Sequence, residues 1–337
     1  MRPERSSEFE SGLEADLFDR RLHVDYTWYE KNTSDALIAL PIPASAAAPV
    51  TSLAQNVGKT RNWGNEIQLN AQLFESRRFA WDITVSASHN ANAWVDLGKD
   101  PATCVTDSNG KRACQDLVIG LGTTTQERKG DPLFAQWYRG YTYADKNGDG
   151  IIQRNEVQVS SQLSRIGVGF AKDLASVQTG VDAFQRRLRI SALFDYRAGG
   201  NTLEGNYFQC SSAPKACRDS QDPTAPLWMQ ARAVAVTYGT NVNGTTFTTP
   251  LGYFVPAQFW KWRELSATLL LPQRVNRFFA AQGGSTVAFG LRNIHTWTSF
   301  TGVDPEQNYG VNGNEVTNDF NTSPPPTYIT FRLNLKY

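Results

Sequence analysis

Long hydrophobic runs are missing from this 337-residue chain. A membrane-spanning helix needs about 18 consecutive apolar residues, and the nearest stretch, residues 36–44, is short and broken by Pro41 and Pro43. Any crossing of a bilayer must therefore be made by strands. Blocks of like charge are missing as well. With 33 Lys and Arg against 32 Asp and Glu, and no run of five or six charges of one sign, the footprint of a nucleic-acid binder is absent, which excludes DNA and RNA as partners. Histidine is scarce: His23, His89 and His295 lie far apart, and none sits beside a Ser/Asp or Cys partner in a catalytic or zinc pattern. No Gly-rich phosphate cradle follows a strand; Gly199-Gly200 and Gly283-Gly284 read as turns. No apolar leader follows Met1-Arg2-Pro3-Glu4-Arg5, and export requires one, so the chain is expected to be a piece of a longer protein.

Only four cysteines occur, in two local pairs, Cys104/Cys114 and Cys210/Cys217, each in a polar, loop-like stretch. Spacers of nine and six residues without nearby His suit two small disulfide-closed loops better than a zinc site, the rival reading. Disulfides imply an oxidising compartment, such as the periplasm or the cell surface.

What the chain has is aromatic residues, 12% of it, and strand-period alternation. Leu22, Val24, Tyr26 and Trp28 alternate with His23, Asp25, Thr27 and Tyr29, a period of two that cannot form one helical face. The pattern returns at residues 67–73, 79–85, 188–194, 265–271, 287–291 and 329–337, with weaker stretches at 9–17, 36–40 and 166–172. These make about ten strands, most near the length of a tilted membrane strand. Short turns alternate with long connections, residues 93–164, 199–258 and 296–326, which gives one short-turned and one long-looped end. A soluble β-sandwich shows the same alternation. Two details favour a barrel: the polar face carries Glu, Gln, Asn, Asp and Arg, as a water-filled lumen requires, and Trp28, Trp81, Tyr196 and Tyr337 sit near strand ends, as interfacial girdles do.

Residues 145–156, DKNGDGIIQRNE, meet calcium-loop spacing: Asp145, Asn147 and Asp149 at positions 1, 3 and 5, Gly150 at 6, an Ile151 carbonyl at 7 and Glu156 at 12. The flanks do not read as EF-hand helices. The choice is between a structural Ca2+ that pins a loop and an Asp/Asn/Gly turn that only resembles one. Among the loop aromatics, Trp94, Trp137, Tyr138, Trp228 and Tyr253 either stack on a ligand such as a sugar ring or simply pack the loops.

Several segments resemble the C-terminal barrel region of SusC/RagA-type TonB-linked outer-membrane transporters. They are the opening RPERSSEFESGLEADLFDRRLHVDYTWYEKNTSDALI, NWGNEIQLN, FWKWRELSATLLLP at 259–272, NIHTWTSFTGVDPE at 293–306, and the final YITFRLNLKY. The most specific is the Thr-Trp-Thr and Thr-Gly-x-Asp-Pro-Glu string within 293–306. The resemblance implies an all-β fold, residues 1–337 forming the C-terminal part of a transmembrane antiparallel barrel of about 22 strands, with the plug domain, the TonB-contacting segment and the first barrel strands outside this chain. It implies import of oligosaccharides or peptides across the cell outer membrane, with a SusD-like surface lipoprotein and the TonB complex as partners, and no enzymatic activity. The rival readings are a stand-alone outer-membrane barrel enzyme and a soluble, calcium-stabilised β binding module.

Overall fold

A computed structural model describes residues 2–41, 52–100, 103–121, 125–213, 215–281, 283–307 and 317–337. Its framework is one antiparallel sheet of nine strands. In chain order they are β1 (Arg5–Leu17), β2 (Leu22–Pro41), β3 (Ser52–Glu75), β4 (Ala80–Asp96), β5 (Asp173–Ala183), β6 (Leu188–Ala198), β7 (Phe259–Leu270), β8 (Thr286–Thr298) and β9 (Tyr328–Asn334). Sequence neighbours are spatial neighbours throughout, and the sheet does not close. It is a portion of a barrel wall whose two edges are β1 and β9.

Register turns the alternation into two faces. Asp25 pairs with Gln68, Gln68 with Ser86, Ser86 with Ser176, Ser176 with Asp195, and Asp195 with Lys261, so one row of polar side chains crosses six strands. The adjacent row, Val24, Leu69, Val85, Val177, Phe194 and Trp262, is apolar on the opposite face. A one-residue slip would exchange the faces, so the register is strongly specified. Among the described residues no protein layer covers the apolar face: Trp81, Ile190, Trp260, Phe289 and Phe331 are exposed. Strand β6 runs ten steps from Leu188, just above the Phe184 turn, to Ala198, with Phe194 and Tyr196 in its upper half. Ten strand residues rise roughly 33 Å. A tilt of about 40° reduces that to roughly 25 Å, the height of a barrel's apolar band.

At two glycines a Cβ would crowd its neighbours, at Gly64 the His89 backbone carbonyl first of all. A Cβ at Gly64 would meet the Tyr29 hydroxyl at 2.8 Å, because Tyr29 lies across the strand pair over it and donates to Asn90 at 2.5 Å. A Cβ at Gly180 would collide with the Arg189 guanidinium. That space lets Arg189 bridge Asp82 at 2.9 Å and Asp182 at 3.1 Å on the polar face.

The strand list is corrected at two places. Residues 36–40 are not a separate strand but the outer half of β2, which is 20 residues long. Residues 166–172 belong to the end of a loop strand and the connection after it, and the wall strand is β5 instead. Alternation in β5 is diluted by Thr179 on the apolar side and by Leu174 and Gly180 on the polar side, which hides it in the sequence. β2 and β3 exceed the 9–11 residues that cross a bilayer, so they project beyond it at the long-loop end.

The long connections fold into structure of their own. Between β4 and β5, strands Ile119–Leu121, Thr125–Glu127, Ala135–Tyr143 and Val157–Val168 form a second sheet. Between β6 and β7 lie helices α1 (Gly205–Ser212), α2 (Arg218–Gln221) and α3 (Leu227–Thr237). Ala231 and Ala235 of α3 pack on Ile152, Val157 and Val159, so the two loops share one core. A second core joins the projecting strand ends through Ala36, Ile38, Trp94, Leu97 and Ile119.

Candidate functional site

The polar face of β2 to β6 forms a groove of about 410 Å³ lined by Asp25, Thr27, Glu66, Gln68, Ser176 and Arg197 among others. Strand register alone places these side chains together, because each is two residues from the next on its own strand or opposite it on a neighbour. Carboxylates, one guanidinium and serine hydroxyls mix along it, a lining that hydrogen-bonds polar solutes.

At the long-loop end of this row lies a six-charge cluster. Lys261 holds Asp304 at 2.8 Å and Glu306 at 2.9 Å. Arg263 grips Glu306 through two nitrogens, both at 2.7 Å, and reaches Asp195 at 2.8 Å, while Arg197 meets Glu306 at 3.1 Å. Lys261 is 5% exposed, whereas Arg197 is 42% exposed. Three cations face three carboxylates. Burial pushes the Glu306 carboxyl up, but the hydrogen bonds from Arg263 and Lys261 outweigh it and hold the pKa at about 2. The Asp-Pro-Glu of the sequence motif is thus a clip: it fastens the β8–β9 connection to the wall. Sequence reasoning singled out the motif but missed Lys261 and Arg263 as its partners, although two cations spaced two apart in FWKWRE were the available signal.

A second cluster is sealed inside the helical loop layer. Arg232 of α3 contacts Glu204 at 3.0 Å and Asp219 at 3.0 Å, and all three side chains are almost fully buried. Asp219 also accepts from Tyr253 at 3.0 Å and Ser211 at 2.5 Å, and Thr301 donates to Glu204. The Tyr253 ring lies 4.4 Å from the guanidinium and the Trp228 ring 5.0 Å. Burial raises the Glu204 carboxyl above its ordinary range against the pull of Arg232, and it raises the Tyr253 phenol as well. Asp319, buried, accepts the amides of Asn206 at 3.3 Å and Val303 at 3.0 Å, which ties α1 to the clip-bearing connection.

The five loop aromatics proposed for ligand stacking are not equally available. Tyr253 is fully buried in the Arg232 cluster, Tyr138 packs on Phe254 with ring centroids 4.4 Å apart, and Trp94 is in the strand-end core with its indole donating to Glu127. Arg128 covers one face of Trp137 at 3.7 Å. Tyr253, Tyr138 and Trp94 are placed as packing residues, for the physical reason that large aromatics supply most of the area a loop core can bury. Trp228 is 48% exposed and keeps a free surface.

In the 145–156 loop the side-chain oxygens turn to the loop's own amides. Asp145 accepts from Gly148 at 2.7 Å and Gly150 at 2.9 Å, Asn147 from Asp149 at 3.1 Å, and Asp149 from Ile151 at 2.8 Å. Buried Glu156 accepts from Lys146 at 2.7 Å and Gln153 at 2.9 Å. Gln230 of α3 accepts the Ile152 amide and donates to the Gly150 carbonyl. The loop as placed is a hydrogen-bonded turn, and among the described residues no group of three or more His, Cys, Asp or Glu converges on one point. Cys104 is bonded to Cys114 and Cys210 to Cys217, and no described cysteine is free. His23 faces Asp16 at 3.0 Å, His89 faces Asp173 at 2.5 Å, and His295 rests on Trp297, so the three histidines are dispersed over the wall.

An amphipathic antiparallel wall with short turns at one end and folded loops at the other defines a portion of a transmembrane β-barrel. The chain belongs to the TonB dependent receptor-like, beta-barrel family, which matches residues 1–182. It is 25% identical to TonB-dependent receptor P3 of Formosa agariphila, over 99% of this chain and 34% of that protein. It is 21% identical to TonB-dependent receptor SusC of Bacteroides thetaiotaomicron, over 98% of this chain and 32% of that one. Its backbone is similar to the RagAB peptide transporter with a TM-score of 0.64, at 21% identity over 90% of this chain and 33% of that chain. The resemblance to SusC/RagA-type receptors read from the sequence is borne out, and the chain spans about a third of the length of the curated relatives it matches.

Proposed function

We propose that this chain is the C-terminal wall and loop assembly of a TonB-linked importer in the outer membrane, carrying polar cargo along the face that bears Asp25, Glu66, Asp195 and Arg197. The observation that carries the reading is the split sheet: one face with a continuous row of polar and charged side chains, the other with exposed aromatics and aliphatics that no described residue covers. Cargo recognition through mixed charges and hydroxyls suits oligosaccharides and peptides. The order imposed on the long loops by the Arg232 cluster suits docking of a SusD-like surface lipoprotein, and energy coupling to TonB belongs to segments outside this chain. The test is uptake by cells that carry the intact protein. Labelled oligosaccharides and labelled oligopeptides are supplied in parallel, with Asp195→Asn and Glu66→Gln variants compared with the parent. Loss of uptake of one class identifies the cargo; unchanged uptake of both on deletion of the whole gene removes the importer reading.

A further inference from the structure

The short-turn end carries a feature that neither the polar groove nor the loop clusters use. Its four connections, residues 18–21, 76–79, 184–187 and 271–285, contain eight arginines, no lysine and one acid, Asp19. Each connection repeats the same chemistry. Phe18 stands beside Arg20 and Arg21, Phe79 beside Arg77 and Arg78, Phe184 beside Arg186 and Arg187, and Phe278 beside Arg274 and Arg277. All eight arginines are exposed, and among the described residues only Arg186 has an ion-pair partner, Glu75 at 2.5 Å. Phe18, Phe184 and Phe278 are 75%, 72% and 84% exposed.

A set of bare rings at one level of a wall is unfavourable in water alone, and seven guanidinium groups without an ion-pair partner stand beside them. The rings continue the apolar face: Phe18 follows Leu17 at the foot of β1, and Phe79 packs on Phe74 of β3 with centroids 5.5 Å apart. Guanidinium forks match phosphate oxygens in pairs, and arginine stems lie along apolar surface while the head reaches polar groups. We propose that this rim is a binding site for anionic phospholipid headgroups of the leaflet at the short-turn end, with the phenylalanines set at the acyl boundary and the arginines holding phosphates. The proposal rests on the outer-membrane reading above.

The test uses the intact outer-membrane protein reconstituted in nanodiscs of phosphatidylethanolamine with a minor fraction of phosphatidylglycerol. Native mass spectrometry then counts the lipids retained. Replacing six arginines together (Arg20→Gln, Arg21→Gln, Arg77→Gln, Arg78→Gln, Arg274→Gln and Arg277→Gln) is expected to lower phosphatidylglycerol retention on the order of tenfold, since each basic group near an anionic surface contributes substantially to attraction. The six corresponding lysine substitutions are expected to retain an intermediate amount, and Lys111→Gln with Arg112→Gln at the opposite end none of the loss. Equal retention by the parent and the glutamine variant, both inserted and heat-modifiable on gels, overturns the lipid site and points to a protein partner for the rim. A parent protein that fails to enter nanodiscs at all contradicts the outer-membrane reading itself.

Discussion

Two charge clusters hold the long loops, and they solve the same problem in opposite ways. The Arg232 cluster is dry: one cation between two carboxylates, ringed by Tyr253 and Trp228 and nearly inaccessible. The Lys261 and Arg263 cluster faces the groove, balances three cations against three carboxylates, and leaves Arg197 in solvent. A dry cluster contributes only as a complete set, because removal of one member strands a buried charge. A wet cluster is graded, and pH reaches it. The helical layer is thus held by an all-or-none set, while the clip on the β8–β9 connection adds a graded, pH-sensitive contribution.

The largest expected effect comes from breaking the dry set. Arg232→Ala leaves Glu204 and Asp219 without their cation, at a cost of about 3 to 5 kcal/mol. Hydrogen exchange should rise across residues 199–258 and leave the β6–β7 strand pairing protected. Retained protection in α1 and α3 would show that the cluster is not what holds them.

Acid should act on the other cluster. Glu306 has a folded pKa of about 2, below the ordinary 4.5, so its contribution is fully present above about pH 4.5 and is lost as pH falls toward 2. The shift corresponds to about 3 kcal/mol at most. Glu204 has the reverse sign: its raised pKa makes the folded state the better proton binder, so acidification through the carboxylate range does not weaken the layer through this group. A probe on residues 299–307 is therefore expected to loosen before one on α3, and Glu306→Gln should remove most of the difference. Simultaneous loosening would merge the two regions into one unit.

Smaller still is the 145–156 turn. Glu156→Ala removes the acceptor for two amides and should cost about 1 to 3 kcal/mol locally. Melting of this loop with added calcium against chelator decides between the turn and the cation site: no shift keeps the turn, and a clear stabilisation at micromolar calcium places a structural ion there. The smallest effect concerns the hairpin turns, where Phe184, Gln185 and Arg186 all have positive φ, 53°, 61° and 63°. Gln185→Gly should stabilise that hairpin by about 1 kcal/mol, because a residue without Cβ adopts this region freely.

Much of the wall was legible because period-two patterning and the two faces of the sheet are the same constraint: Leu22 to Trp28 alternate because every second side chain lies on the apolar face. β5 was not, since Gly180 serves Arg189 and not the alternation. The elements inside the long loops were not legible because their order comes from contacts distant in sequence. Arg232 meets its carboxylates 28 and 13 residues away, and a helix of eleven residues with a buried arginine carries no amphipathic stripe. The calcium-like spacing was visible, but the bracing of the loop backbone by Gln230, about 80 residues on, was not.

The most direct test of the two-faced wall is single-cysteine labelling in native membranes, which is clean because the described native cysteines are paired. Cysteines placed at Gln68, Ser86 and Ser176 on one face and at Leu69, Val85 and Val177 on the other are challenged with a charged, membrane-impermeant thiol reagent. The account predicts labelling of the first three and protection of the second three, reversed for a lipid-soluble reagent. Equal labelling of both rows would contradict it and return the sheet to a soluble setting.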